Sequence, residues 1–395
     1  MIRDPLPDMP VPEAEAQAQS AVLIEQVMQR IEAAGGSIGF DEYMAMALYT
    51  PGLGYYSGGA QKFGAAGDFV TAPELSPIFS RCLARQVMDA WRQLDARQVI
   101  EFGAGSGVMA ADMLLEFAAQ DVLPERYFIV ELSGELRARQ RETIAAKAPQ
   151  FIERVEWLDA LPADALEAVV VGNEVLDAMP VQVFVMRDGA VMERRVTREG
   201  ERLAWTEAPA GDVLEAAVRH IEKERGRPLP EGYVSEVNLA LPGWFASLQQ
   251  VIARGAVLLI DYGYPRAEYY LDERRSGTLI CHYRHRAHDD VFLYPGLQDL
   301  TANVDFTAVA EAGSAAGFDV LGYTSQAFFL MGSGLEAVFA GLQGDDITQQ
   351  LAAAQQVKTL TLPAEMGERF QVIALGKDIE PPLIGFALND YRARL

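Results

Sequence analysis

The sequence predicts a doubly wound α/β protein, a largely parallel sheet with helices on both faces, and three observations carry that prediction. From residue 99 onward short apolar strand patterns alternate with helical periods, the signature of βαβ units. The first of these strands, 99–102, runs directly into Gly103-Ala104-Gly105-Ser106-Gly107 and then a helical pattern at 108–119. Further on, residues 255–261 form a near-continuous apolar run, as expected of a strand buried on both faces.

Taken in order, residues 1–19 carry prolines and acids and read as a disordered lead without the features of a signal or transit peptide. Val22, Ile24, Val27, Met28 and Ile31 give 20–34 a helical period that Gly35-Gly36 stops, and 40–49 reads as a second helix. Residues 50–74 are dense in glycine and aromatics, including Tyr55, Tyr56 and Phe69, and predict a lid that closes over a ligand. A long amphipathic helix at 76–94 completes an N-terminal helical cap and lid over 20–95. The core then begins: strand 99–102, helix 108–119, strand 127–131, helix 133–147, and strands at 155–157 and 168–172, within a first core segment of 96–180. Two strand patterns, 181–186 and 190–196, flank the hairpin signal Asp188-Gly189, and another follows at 202–206. Residues 181–250 are therefore expected to be an antiparallel and helical insertion that serves as a substrate-binding subdomain. The core resumes over 251–395 with strand 255–261, an irregular stretch at 262–305, helix 306–316, strand 318–323, helices at 335–342 and 349–357, and a last strand at 370–375.

Composition narrows the function classes. The net charge of −23 over 395 residues argues against a nucleic-acid surface, which needs a basic patch to displace counterions. It favours a cationic partner, although surface acids also keep a protein dispersed without one. No apolar run approaches the length that crosses a bilayer, so no membrane insertion is expected. The two cysteines, Cys82 and Cys281, support neither a disulfide framework nor a cysteine-based zinc site, and a reducing cytoplasm is the expected compartment.

The glycine turn points to chemistry. A dinucleotide fingerprint, G-x-G-x-x-G, would need its third glycine where Val108 stands, which disfavours a nicotinamide oxidoreductase. The chain instead reads Glu101-x-Gly103-x-Gly105-x-Gly107, which is similar to the loop with which methyltransferases hold S-adenosylmethionine. Glu131 ends the next strand, where a carboxylate can accept hydrogen bonds from both ribose hydroxyls. The strand 168–172 ends in Asn173-Glu174-Val175-Leu176-Asp177, and in open α/β sheets ligands sit beyond the carboxyl ends of strands. Asn173 is thus expected beside the cofactor, with Glu174 and Asp177 facing the transferred methyl group. The alternatives are that Asp177 caps a helix and that Glu174 is merely solvated. Glu236 is a possible third acid from the insertion. Cys281, His282, His285, His288, Asp289 and Asp290 contain metal-ligand types, but the interleaved Arg284 and Arg286 would repel a cation, so a structural or substrate-facing loop is preferred and no metal is expected.

Six blocks occur in order: 67–74 (Gly-Asp-Phe-Val-Thr-Ala-Pro-Glu), 101–107, 130–133 (Val-Glu-Leu-Ser), 172–180 (Gly-Asn-Glu-Val-Leu-Asp-Ala-Met-Pro), 260–264 (Ile-Asp-Tyr-Gly-Tyr) and 298–306 (Gln-Asp-Leu-Thr-Ala-Asn-Val-Asp-Phe). From about residue 25 to 376 the chain resembles the MidA-like class I methyltransferases, whose mitochondrial members assist assembly of respiratory complex I. Many members carry Pro and Arg where this chain has Ala104 and Ser106, but all three glycines are kept. The resemblance implies a Rossmann-like class I methyltransferase sheet that binds S-adenosylmethionine through Gly103, Gly105, Gly107 and Glu131, assisted by Thr71, Pro73 and Glu74. It also implies protein arginine methylation, with a respiratory-complex subunit as one candidate partner. The alternative is a non-catalytic assembly factor that keeps the cofactor fold and grips a client protein.

Overall fold

The computed structural model describes residues 9–58, 71–342 and 347–395. The chain divides into two units, each built from three stretches of sequence. One comprises Val70–Leu176, Pro242–Pro265 and Val304–Leu395; the other comprises Met1–Phe69, Asp177–Leu241 and Arg266–Asn303.

The sheet of the first unit contains β1 (Gln98–Phe102), β2 (Arg126–Val130), β3 (Val155–Leu158), β4 (Leu166–Asn173), β5 (Ile252–Tyr264), β6 (Asp319–Ser325) and β7 (Phe370–Lys377). They lie side by side in the order β6-β7-β5-β4-β1-β2-β3, and β7 is antiparallel to both of its neighbours. The remaining pairings along this path are parallel. The expected α/β class holds, and β4 does lie beside β1, pairing Val99 with Val169 through Phe102 with Gly172. The central strands are buried on both faces, which explains why β5 reads as an apolar run. Helices Pro77–Trp91 and Val108–Ala119 pack their apolar faces into one core with Val99, Val169 and Leu258, and Trp91 meets Phe117 at 4.8 Å between ring centroids. Helix Pro77–Trp91 therefore belongs to the sheet unit and not to an N-terminal cap ending at residue 95.

Two of the sequence blocks turn out to be architectural. Asp261, wholly buried on β5, accepts the backbone N–H groups of Leu176 (3.0 Å) and Tyr262 (2.9 Å). Gly263 pairs in parallel with Val304, whose carbonyl oxygen would lie 2.1 Å from a Cβ at that position, so only glycine lets the two backbones meet. Asp305 then caps helix Phe306–Ala315 by accepting from Thr307 N and Ala308 N.

The second unit has an antiparallel sheet of Ser37–Gly39, Ala190–Glu199, Gln182–Arg187 and Val234–Val237, in that order, with Arg202–Pro209 also paired to Ala190–Glu199. The Asp188-Gly189 hairpin forms as expected, both residues at positive φ (50° and 76°) as a tight primed turn requires. Helix Ala14–Ala33 begins six residues before the expected start at residue 20, so the reading of 1–19 as a disordered lead fails for residues 14–19, which are helical; further along the same helix Ser20, Leu23 and Ile24 are buried and Ser20 Oγ donates to Pro295 O at 2.8 Å. Residues 1–8 lie outside the described residues. Residues 266–303 also depart from expectation, since they join this unit and not the 251–395 core. They build a three-stranded sheet, Arg286–His288, Ile280–Tyr283 and Asp299–Thr301, whose Cys281, Phe292 and Leu300 share a core with Phe40 and Tyr43. Of the expected lid at 50–74, Phe69 and the rest of 59–70 lie outside the described residues. Tyr55 is 2% exposed and its N–H donates to Ala47 O, so this ring is packed into the unit.

Candidate functional site

The carboxyl ends of β1, β2 and β4 share one edge of the sheet unit, and the residues that leave them bring most of the expected cofactor set together. Gly103, Gly105 and Gly107 have φ of 64°, 52° and 85°, a left-handed conformation that favours glycine. Gly107 is also a steric necessity, because a Cβ there would lie 2.9 Å from Gln140 Cα. Gly103 is exposed, leaving open backbone at the turn. The loop ends at helix Val108–Ala119, with Gly107 as its cap residue, and the Val108 N–H at the start of the helix donates to Ser106 Oγ at 3.4 Å.

Glu131 follows β2 and is half-buried. Its Oε1 accepts Ser133 N–H at 2.8 Å and its Oε2 accepts the Gln140 side chain at 3.1 Å, which leaves lone pairs for further donors. Leu132 beside it is 79% exposed, an apolar surface next to the carboxylate. Glu74 reaches the loop through the hydroxyl of Ser106, which donates to its Oε1. Thr71 is the cap residue of the short helix Ala72–Leu75 and makes no side-chain cap bond, while Pro73 is buried packing within it.

Glu101 differs from the others. It is fully buried, its Oε2 accepts the Tyr127 hydroxyl at 2.6 Å, and its Oε1 has no hydrogen-bond partner among the described residues. Burial pushes its carboxyl up to about 7 against a lowering contribution from Tyr127. At the end of β4, Asn173 Nδ2 donates to Glu174 Oε1 at 2.9 Å, and Glu174 N donates to Ile260 O at 2.9 Å. Glu174 has φ of 53°, a left-handed backbone on a non-glycine residue. Such a conformation costs roughly 1 kcal/mol and persists only where the surroundings hold it.

The other two expected acids belong to the second unit. Asp177 is 4% exposed and opens a turn, not a helix, its carbonyl accepting Ala302 N–H at 3.0 Å. Burial first, then the charges of Asp299 and Asp177, raise the Tyr56 phenol well above its ordinary value, and Tyr56 donates to Asp299 Oδ1 at 3.0 Å. Glu236 is 1% exposed and engaged throughout. It accepts from Thr278 N (3.0 and 3.1 Å), Leu279 N (3.2 Å) and Tyr269 Oη (3.3 Å), which makes it a clamp on the 277–279 loop and not an acid open to a substrate. The histidine stretch forms a hairpin whose turn, Arg284-His285, has positive φ at both residues, with Cys281 opposite His288. Among the described residues no group of three or more His, Cys, Asp or Glu could hold a metal ion.

Sequence reasoning missed Gln140 and Trp157. Gln140 is wholly buried on helix Gly134–Lys147 at four-residue spacing from Leu136 and Ile144, and a glutamine on a buried apolar stripe is the signal that could have found it.

The chain matches the profile of the Methyltransf_28 family of S-adenosyl-L-methionine-dependent methyltransferases over residues 82–324. It is similar to "Protein arginine methyltransferase NDUFAF7, mitochondrial" of Mus musculus, at 30% identity over 90% of this chain and 85% of the relative. The Drosophila melanogaster homologue of that protein is 27% identical over 95% and 91% of the two chains. A crystal structure of a Burkholderia thailandensis protein bound to S-adenosyl-homocysteine is 48% identical, covers 98% of this chain and 100% of its own, and superposes with a TM-score of 0.93. These findings bear out the resemblance drawn from the sequence blocks.

Proposed function

We propose that this chain, which belongs to the S-adenosylmethionine-dependent methyltransferase family matched over residues 82–324, methylates an arginine of a protein partner. The observation that carries the acceptor assignment is the likeness to proteins named as arginine methyltransferases across 85% or more of both chains. The sheet unit fits the cofactor: three left-handed glycines leave a cradle without Cβ atoms, Glu131 retains lone pairs for ribose hydroxyls, and Leu132 offers an apolar face. The cofactor supplies a methyl group on a sulfonium centre, open to in-line displacement.

What the protein's own residues must then do is position and desolvate. A guanidinium stays protonated near neutrality, so carboxylates have to hold its fork while one nitrogen is aimed. Glu174, half-buried at the strained end of β4, is the proposed holding residue. Glu236 holds a loop and is not part of this set. The proposed partner is a protein, with a respiratory-complex subunit as a first candidate. The test is incubation with cofactor labelled in the methyl group and host lysate, followed by mass spectrometry of labelled proteins. Label on arginine supports the reading. Label on another side chain overturns the acceptor, and tight S-adenosyl-homocysteine binding with no label in any protein points instead to an assembly factor without catalysis.

A further inference from the structure

We infer that Gln140, oriented by Trp157, is the positioning residue that locks the glycine loop and Glu131 into one geometry, an inference that rests on Glu131 being the carboxylate of the cofactor site. The Trp157 indole on β3 donates to Gln140 Oε1 at 2.9 Å. An indole N–H can only donate, so it fixes which end of the amide is oxygen and turns both Nε2 protons the other way. One of them goes to Gly105 O at 3.1 Å and the other to Glu131 Oε2 at 3.1 Å. A single buried amide thus spans the central glycine of the loop, the acid after β2 and the ring on β3. The contact is also steric, because Gly107 lies so close to Gln140 that a Cβ would be 2.9 Å from its Cα and 3.1 Å from its carbonyl oxygen. Arg141 covers the outer side of the same indole at 4.5 Å from the ring centroid, which steadies the donor.

Arg137 Nε holds the Glu131 carbonyl oxygen at 2.6 Å and Ser133 N–H holds its Oε1, so removing the amide frees the carboxylate on its Oε2 side and the Gly105 carbonyl with it. Gln140→Met keeps length and volume but removes both donors. It is expected to weaken S-adenosyl-homocysteine binding about tenfold in calorimetry, with the thermal midpoint within a few degrees of wild type. Gln140→Glu, which sets a carboxylate against Glu131, should weaken binding further. Trp157→Phe, which leaves the amide free to turn over, should cost about threefold.

A double-mutant cycle separates positioning from a general structural role. Once Glu131→Ala is in place, Gln140→Met should cost less than threefold. Additive losses would overturn the inference, as would full affinity in Gln140→Met while Glu131→Ala binds weakly. Unchanged affinity in Glu131→Ala would overturn the cofactor reading itself and the inference with it. Should Gln140→Met fail to fold, Trp157→Phe enters the same cycle, where its threefold loss should disappear on the Glu131→Ala background and a loss that persists unchanged would overturn the inference.

Discussion

Glu131 in the sheet unit and Glu236 in the other unit look alike in sequence, each an acid in or just after a short strand pattern. Their surroundings are opposite. Glu131 is half-buried and accepts from Ser133 N and the Gln140 amide, with capacity left over. Glu236 is buried and its oxygens meet two backbone amides and the hydroxyls of Tyr269, Thr278 and Ser235. The difference teaches that an acid's availability to a ligand is set by how many donors the fold aims at it, a quantity that residue type and strand position do not report. Glu101 and Glu174 extend the contrast within the sheet unit, the first sealed under the loop with one unsatisfied oxygen, the second held half-open on a strained backbone.

The sharpest break of this comparison is Glu174→Ala. If Glu174 holds the acceptor, cofactor affinity should stay within about twofold while single-turnover transfer falls by two orders of magnitude or more, about 3 kcal/mol of transition-state stabilisation. Parallel loss of both would move Glu174 into the cofactor site. The next effect concerns Glu101, whose folded carboxyl titrates near 7 against an ordinary value of 4.5. Below about pH 4.5 both folded and unfolded chains hold this proton. Between 4.5 and 7 only the folded chain does, so this group's contribution to stability is lost as pH rises, on the order of 3 kcal/mol in all, and then levels off. Denaturant titrations at several pH values should show that fall in wild type and its absence in Glu101→Gln; parallel curves would mean that the carboxyl ionises normally.

Smaller effects separate the two acids of the opening contrast. Glu236→Ala leaves the Thr278 and Leu279 amides without their acceptor and should cost about 2 to 3 kcal/mol of stability, read as a lower denaturation midpoint. Glu131→Ala should instead weaken S-adenosyl-homocysteine binding by about 2 kcal/mol in calorimetry with stability nearly intact. An exchange of these two phenotypes would reverse the comparison.

The sequence by itself determined the local features of this protein, because they are encoded by neighbours along the chain. The strand-loop-helix at 98–119, the left-handed glycines, the Asp188-Gly189 turn and the apolar β5 all follow from side-chain periodicity and the steric freedom of glycine. Only the tertiary structure decided the rest. It assigned helix Pro77–Trp91 to the sheet unit and residues 266–303 to the other, since those memberships depend on which distant apolar surfaces fit together. It also turned Glu236 inward onto Thr278 and Leu279, forty-two and forty-three residues away, and gave Asp261 and Gly263 structural roles against Leu176 and Val304. Gln140 shows the limit most clearly: its role is the meeting of Gly105, Glu131 and Trp157, which converge on one amide only because β1, β2 and β3 lie side by side.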